Sequence, residues 1–216
     1  GKHVICEKPF GDNIGVAREL TTLAADTDRV TYISFQLRFA GSFAAMKDAC
    51  EEIDPVQIFL GRSRGMMRDQ YLNPSPFCGV MDVCAHDFDL VAWLMGRTPE
   101  AVTAVVRRNT FTRDTDATDT ISALIDFDDG RSASVLLTIG APEIGAKCDV
   151  AGCLGNVRIE KGGAQAGVRF ERYGSAGEKQ PLDFSGVQGG NTDVDLQQAV
   201  QREIRTGVTS RAARFS

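Results

Sequence analysis

Apolar residues recur along this chain with two different periods, and the switch between them divides it in two. The first fifty residues alternate short apolar runs with helical spacing. His3-Val4-Ile5-Cys6 reads as a buried parallel strand. From Asn13 to Ala25 the apolar positions Ile14, Ala17, Leu20, Leu23 and Ala24 fall on one side of a helix, with Asn13 placed to cap it. Val30–Phe35 is β-branched and aromatic enough for a second strand. Strand, helix and strand make a right-handed βαβ unit. Gln36-Leu37-Arg38-Phe39 then leads into a helix from about Ser42 to Glu52, with Phe43, Met46, Ala49, Cys50 and Ile53 on its inward face.

Beyond this point strands dominate. Val56–Arg64 is followed by a long loop, Gly65–Gly79, of a length that in compact domains often serves function. A helix runs from Asp82 to the stop signal Gly96, with Val83, Phe88, Leu90, Val91, Trp93 and Leu94 supplying most of an apolar surface. Six strand patterns follow: Ala101–Arg108, Asp119–Phe127, Ser132–Thr138, Cys148–Ala151, Asn156–Glu160 and Val168–Tyr173. Asp128-Asp129-Gly130 signals a hairpin, and Gly152 to Gly155 a tight turn. After a Gly-rich stretch from Phe184 to Asn191, a last amphipathic helix spans Asp193–Arg205, capped by Thr192. The pattern predicts an α+β chain: a βαβ portion, then a mostly antiparallel open sheet covered on one face by helices.

Composition narrows the partners. With 216 residues, 43% hydrophobic and 25% charged, the chain can bury a sizeable core. A net charge of −5 without a basic block argues against nucleic acid or an anionic membrane. No run is long enough to span a bilayer, and no secretory signal opens the sequence. The six cysteines are scattered with no CxxC pair, which suits reduced thiols and a cytoplasmic setting.

The candidate chemistry lies in two distant stretches. Asp82 and His86 are four apart, so they stack on one helix face, and Asp89 lies three further on, on or near that face. A histidine passes protons near neutral pH, and a carboxylate one turn away can hold its tautomer. The same pair serves equally as a structural hydrogen bond, and Asp82, His86 and Asp89 together are a mixed N/O set of the kind found at divalent ions in hydrolases. At the other stretch, Pro9 biases Lys8 to an extended conformation at the carboxyl end of the first strand, where open α/β sheets place ligands. His3 lies at that strand's entrance and reads as a packing or edge residue.

Three segments in order resemble the glucose–fructose oxidoreductase / inositol dehydrogenase / rhizopine catabolism (Gfo/Idh/MocA) family. Gly1-Lys2-His3-Val4-Ile5-Cys6-Glu7-Lys8-Pro9 is similar to its GKHV-x-x-EKP segment, and Phe35-Gln36-Leu37-Arg38-Phe39 to its F-N/Q-x-R-F segment. Gly79-Val80-Met81-Asp82-x3-His86-Asp87-Phe88-Asp89, with Trp93-Leu94-Met95-Gly96, resembles its GG-x-x-x-D-x-x-x-HD-x-D-x-x-x-W-L-x-G segment. Cys78 departs from it, standing where the family often has the first Gly of a pair. The family's GxGxxG turn does not occur in this sequence, so the main binding turn for NAD or NADP is expected upstream of residue 1. On this reading residues 1–52 are the last part of a dinucleotide-binding Rossmann domain and 53–216 a substrate-binding and oligomerisation domain, both ends of the chain being cut from a longer protein.

The resemblance implies an NAD(P)-dependent dehydrogenase acting on a secondary alcohol of a cyclic polyol or sugar, inositol-like in branch. It implies that His86 is the acid/base, that Lys8 holds the substrate oxygen, and that Asp82 orients His86 or binds a neighbouring hydroxyl. Tyr71, Asn73 and Asp89, with Arg68 nearby, are expected on the substrate; Glu7, Lys8, Pro9, Gln36 and Arg38 on the cofactor side. No metal is expected, and a homo-oligomer is expected to form through the sheet. The alternatives are a non-catalytic dimerisation or binding module, inactive alone, and the divalent-metal hydrolase built on Asp82, His86 and Asp89.

Overall fold

The structure, a computed structural model, describes residues 1–65, 80–108, 118–141, 145–162, 168–180, 191–211 and 213–214. The chain divides into two compact units, Gly1–Ala44 with Gln188–Ser216, and Ala45–Val187.

The first unit opens with β1 (Val4–Cys6), α1 (Ile14–Ala25) and β2 (Thr31–Ile33). β1 and β2 pair in parallel, with Val4 opposite Thr31 and Cys6 opposite Ile33, as a βαβ unit requires. Asn13 caps α1 as expected, its side chain accepting from Val16 N at 3.0 Å. Two expectations fail on burial. β1 is largely exposed rather than buried, with Val4 at 44% and Ile5 at 43%. The apolar side of α1 is only partly covered, and Ile14 and Leu23 stand in solvent at its edges. Three short strands offer too little surface to cover both. The third strand, β11 (Ala213–Arg214), pairs antiparallel to β2 where no closing element was expected, because two residues carry no readable period.

Gln36–Phe39 forms one 3₁₀ turn, and α4 (Thr192–Thr206) packs beside it. Asn191, not Thr192, caps α4, accepting from Asp193 N and Val194 N at 3.2 and 3.4 Å. Both residue types cap well, and the chain uses the one a position earlier. Inside this unit the buried Glu203 carboxylate accepts from the Tyr32 hydroxyl and, at 2.8 Å, from Ser210 N. His3 Nδ1 accepts from Val30 N at 3.0 Å, a structural bond beside the β1 entrance.

The division between the units falls within α2 (Gly41–Ile53). Its expected inward residues Phe43, Met46, Ala49, Cys50 and Ile53 are all buried. The second unit is an eight-stranded sheet in the order β10-β9-β8-β7-β3-β6-β5-β4. Here β3 is Pro55–Arg64, β4 Pro99–Arg107, β5 Thr120–Phe127, β6 Ser132–Ile139, β7 Gly145–Gly152, β8 Gly155–Gly162, β9 Val168–Gly174 and β10 Lys179–Gln180. Every neighbouring pair is antiparallel except β3 and β6, which run in parallel. The expected mostly antiparallel open sheet is therefore present.

α3 (Val80–Met95) lies on β3, β5 and β6. The packing follows the sheet's period of two. On β5, Ile121, Ala123, Ile125 and Phe127 are buried while Ser122, Leu124 and Asp126 are exposed. Val80, Val83 and Cys84 of α3 form one cluster with Ile121, Leu137 and Ile139. Full burial of side chains of this size stabilises by about 1.5–3 kcal/mol each, so α3 is held firmly where the site residues need it. The five described cysteines are free thiols; burial pushes Cys50 up to about 12, as befits a core filler.

Candidate active site

The helical period fixes what α3 can present. At 100° per residue, Val80, Val83, Cys84, Asp87, Val91, Leu94 and Met95 form one stripe, and all are buried. Asp82, His86 and Asp89 fall together on a flank of the same helix, as the sequence implies. Asp82 sits in the first turn, where its charge suits the helix dipole. His86 is buried, at 8% exposure, and Asp82 and Asp89 are half-buried. Among the described residues, no group of three or more His, Cys, Asp or Glu side chains is placed to share a metal ion.

In the first unit the strand exits are aligned. β1 and β2 are parallel and in register, so the residues that follow them leave at the same end. Lys8 and Pro9 follow β1 across a cis peptide bond, with Glu7 exposed before them and Lys8 half-buried. Gln36 follows β2, and its Oε1 is buried with no hydrogen-bond partner among the described residues. Such an atom invites a donor, since a buried unpaired acceptor costs about 1–3 kcal/mol. Arg38 donates from Nη1 to the Arg211 carbonyl at 3.3 Å. It lines, with Arg202, Arg211 and Asp195 among others, a hollow of about 440 Å³ within this unit. Lys8, Pro9 and Gln36 are thus brought to one end of the parallel pair. Tyr71, Asn73, Arg68 and Cys78 lie outside the described residues.

Sequence reasoning passed over the two residues that hold the helix. Asp87 is fully buried in the sheet-facing stripe of α3. Arg62 Nη1 lies 2.7 Å from Asp87 Oδ1, with the Arg62 side chain 8% exposed. The contact is a buried ion pair. Arg62 alternates with Ile58 and Leu60 along β3, on the side that faces α3. The signal was present: a carboxylate between Val83, Cys84 and Val91 interrupts an otherwise apolar stripe.

Burial pushes the Asp87 carboxyl up to about 6, the nearby Arg62 and Arg64 charges opposing only in part. Burial likewise lowers Arg62, against the pull of Asp87. For both partners desolvation is the largest cause of the shift, opposed by their mutual attraction.

Residues 52–158 match the family model described as the GFO/IDH/MocA C-terminal domain. An uncharacterised oxidoreductase of Schizosaccharomyces pombe is 35% identical over 111 residues, covering 48% of this chain and 30% of that protein. Inositol 2-dehydrogenase of Rhizobium meliloti is 26% identical over 223 residues, covering 96% of this chain and 54% of that protein. The chain thus spans about half or less of the length of these relatives. Among solved structures, UDP-N-acetylglucosamine 3-dehydrogenase from Acidithiobacillus ferrooxidans has a TM-score of 0.77 at 17% identity, over 98% of this chain and 64% of that one. An oxidoreductase from Agrobacterium radiobacter, in complex with NAD+, L-tartaric acid and magnesium, has a TM-score of 0.76 at 18% identity, over 97% and 65%. At these identities the structural likeness shows the fold. Residues 52–158 of the chain thus form a Gfo/Idh/MocA C-terminal domain.

The buried pair sets a pH dependence. A carboxyl held above its unfolded value favours its protonated form in the folded state. Its contribution to stability is full below the ordinary value of 3.8 and is lost as pH rises through about 6. The apolar double variant Arg62→Met/Asp87→Leu has no such titration. Denaturant unfolding at a series of pH values is expected to show its stability gaining on the native chain by on the order of 2 kcal/mol between about pH 4 and pH 7. A gap that moves the other way would mean that attraction, not burial, governs the pair.

Proposed function

We propose that this chain is the substrate-side part of an NAD(P)-dependent dehydrogenase. The enzyme moves a hydride between a secondary alcohol of an inositol-like polyol or sugar and nicotinamide. The observation that carries the reading is the Asp82 and His86 flank of α3 in a chain whose relative over 96% of its length is an inositol 2-dehydrogenase. As hydride leaves carbon, a base must take the hydroxyl proton, and a donor must steady the developing alkoxide. His86 is the base, Asp82 holds its ring or a neighbouring hydroxyl, and Lys8 donates to the reacting oxygen. Tyr71, Asn73 and Asp89 bind the other hydroxyls.

The first unit fits a dinucleotide. Ligands of open α/β sheets bind beyond the carboxyl ends of parallel strands, where Lys8, Pro9 and Gln36 emerge. The buried Gln36 oxygen suits an amide N–H, a group that nicotinamide carries. When bound, the nicotinamide supplies the hydride acceptor. The exposed Val4, Ile5, Ile14 and Leu23 are an apolar surface of the kind that the rest of a dinucleotide-binding domain covers. NAD and NADP are both compatible with these residues, and the Gly-rich turn that grips the pyrophosphate is assigned to residues outside this chain.

The sheet face opposite α3 supports self-association. Val105, Ser122 and Leu136 are neighbours in register across β4, β5 and β6, as are Thr103, Leu124 and Ser134. Val105, Leu124 and Leu136 are 43–45% exposed. An apolar strip on a flat sheet is the surface a second copy buries in a two-fold dimer.

Two measurements test this reading. In the whole dehydrogenase, assayed with myo-inositol and NAD, His86→Ala is expected to lower kcat by about 10²–10⁴-fold while KM changes little; unchanged turnover would exclude His86 as the proton carrier. Leu136→Arg is expected to reduce the molar mass measured by light scattering on a sizing column. An assembly of unaltered mass would remove the sheet face from the interface.

A further inference from the structure

The sheet-facing stripe of α3 carries a single carboxylate, Asp87, among apolar side chains, and the helix-facing side of β3, which ends in the exposed Arg64, carries the buried guanidinium of Arg62. The two meet at 2.7 Å. Both side chains are buried, and an apolar pair of similar volume in such a place is often neutral or better for stability. What an apolar pair lacks is direction. Leucine and valine seams tolerate small rotations of one element over another and lose uniqueness before stability. A buried ion pair tolerates no such slip, because separation leaves two charges without solvent or partner.

We propose that Arg62 and Asp87 are positioning residues that fix the rotation of α3 on the sheet and so aim His86. Asp87 is the next residue after His86, and one residue is 100° of helix rotation. A pin at Asp87 therefore sets the direction in which the His86 ring leaves the helix. Arg62 lies on the central strand pair of the sheet, between β7 and β6, where the backbone is bonded on both sides. The anchor is thus among the least mobile points of the second unit. The significance of the aim rests on the dehydrogenase reading above; the aim itself does not. A misplacement of about 1 Å at a reacting group costs on the order of 10²-fold in rate, which is reason enough to retain a charged pair there.

The test is made on the 216-residue chain by nuclear magnetic resonance, without substrate. The chain has only two histidines, so the His3 and His86 ring signals are readily separated. In Arg62→Met/Asp87→Leu the thermal midpoint is expected to match or exceed that of the native chain. The His86 ring nitrogen resonances are expected to shift, and its ring protons to lose their native Overhauser contacts, while the His3 signals stay in place. A folded double variant with native His86 signals would overturn the inference. Should the double variant not fold, Arg62→Lys replaces the planar fork with a point charge. It is expected to displace the same His86 signals, and native signals would again overturn the inference. Retained turnover in His86→Ala would sink the dehydrogenase reading alone, since the ring's orientation is measured independently of activity.

Discussion

Everything in the second unit depends on how α3 sits on the sheet. The seat is built from two periods that match: residues three and four apart on the helix, and every second residue on β3, β5 and β6. Apolar burial supplies the hold. One buried ion pair, Arg62 with Asp87, supplies the angle. The flank carrying Asp82, His86 and Asp89 then points where the stripe leaves it free to point. A helix that must present a proton carrier needs both terms, because burial alone is non-directional.

Much of this was legible in the residues. The inward face of α2 was readable to the residue, since Phe43, Met46, Ala49, Cys50 and Ile53 repeat at helical spacing and all are buried. The antiparallel strands and the Asp82, His86 and Asp89 flank were equally plain. Burial in the first unit was not, because an apolar run states what a strand could bury and not whether anything covers it; Val4, Ile5, Ile14 and Leu23 are exposed. The two-residue strand Ala213–Arg214 was too short for a period, and the cap at Asn191 competed with an adjacent Thr of the same chemistry. The Arg62–Asp87 pair was missed because its partners lie 25 positions apart, and pairing between elements follows from register, which the pattern alone does not give.

The site reads differently in the two units. In the second, the proposed proton carrier and its neighbouring carboxylates stand on one element, so the helical period alone places them together. In the first, the contributions come from the exits of two parallel strands, so the βαβ topology assembles them. The proposed enzyme joins these two logics: a rigid helix for the base, and strand ends for the cofactor edge and the ammonium of Lys8. The segment that matches the GFO/IDH/MocA C-terminal domain, residues 52–158, covers α3 and most of the sheet.

The central proposal is that, in the whole enzyme, Lys8 and His86 act on one hydroxyl. A crystal structure of the whole enzyme with NAD and a bound polyol measures this directly. The account predicts Lys8 Nζ and the His86 ring nitrogen each within hydrogen-bond reach, roughly 2.6–3.2 Å, of the same substrate oxygen. A bound polyol whose reacting hydroxyl meets neither group, or only Lys8, would contradict it.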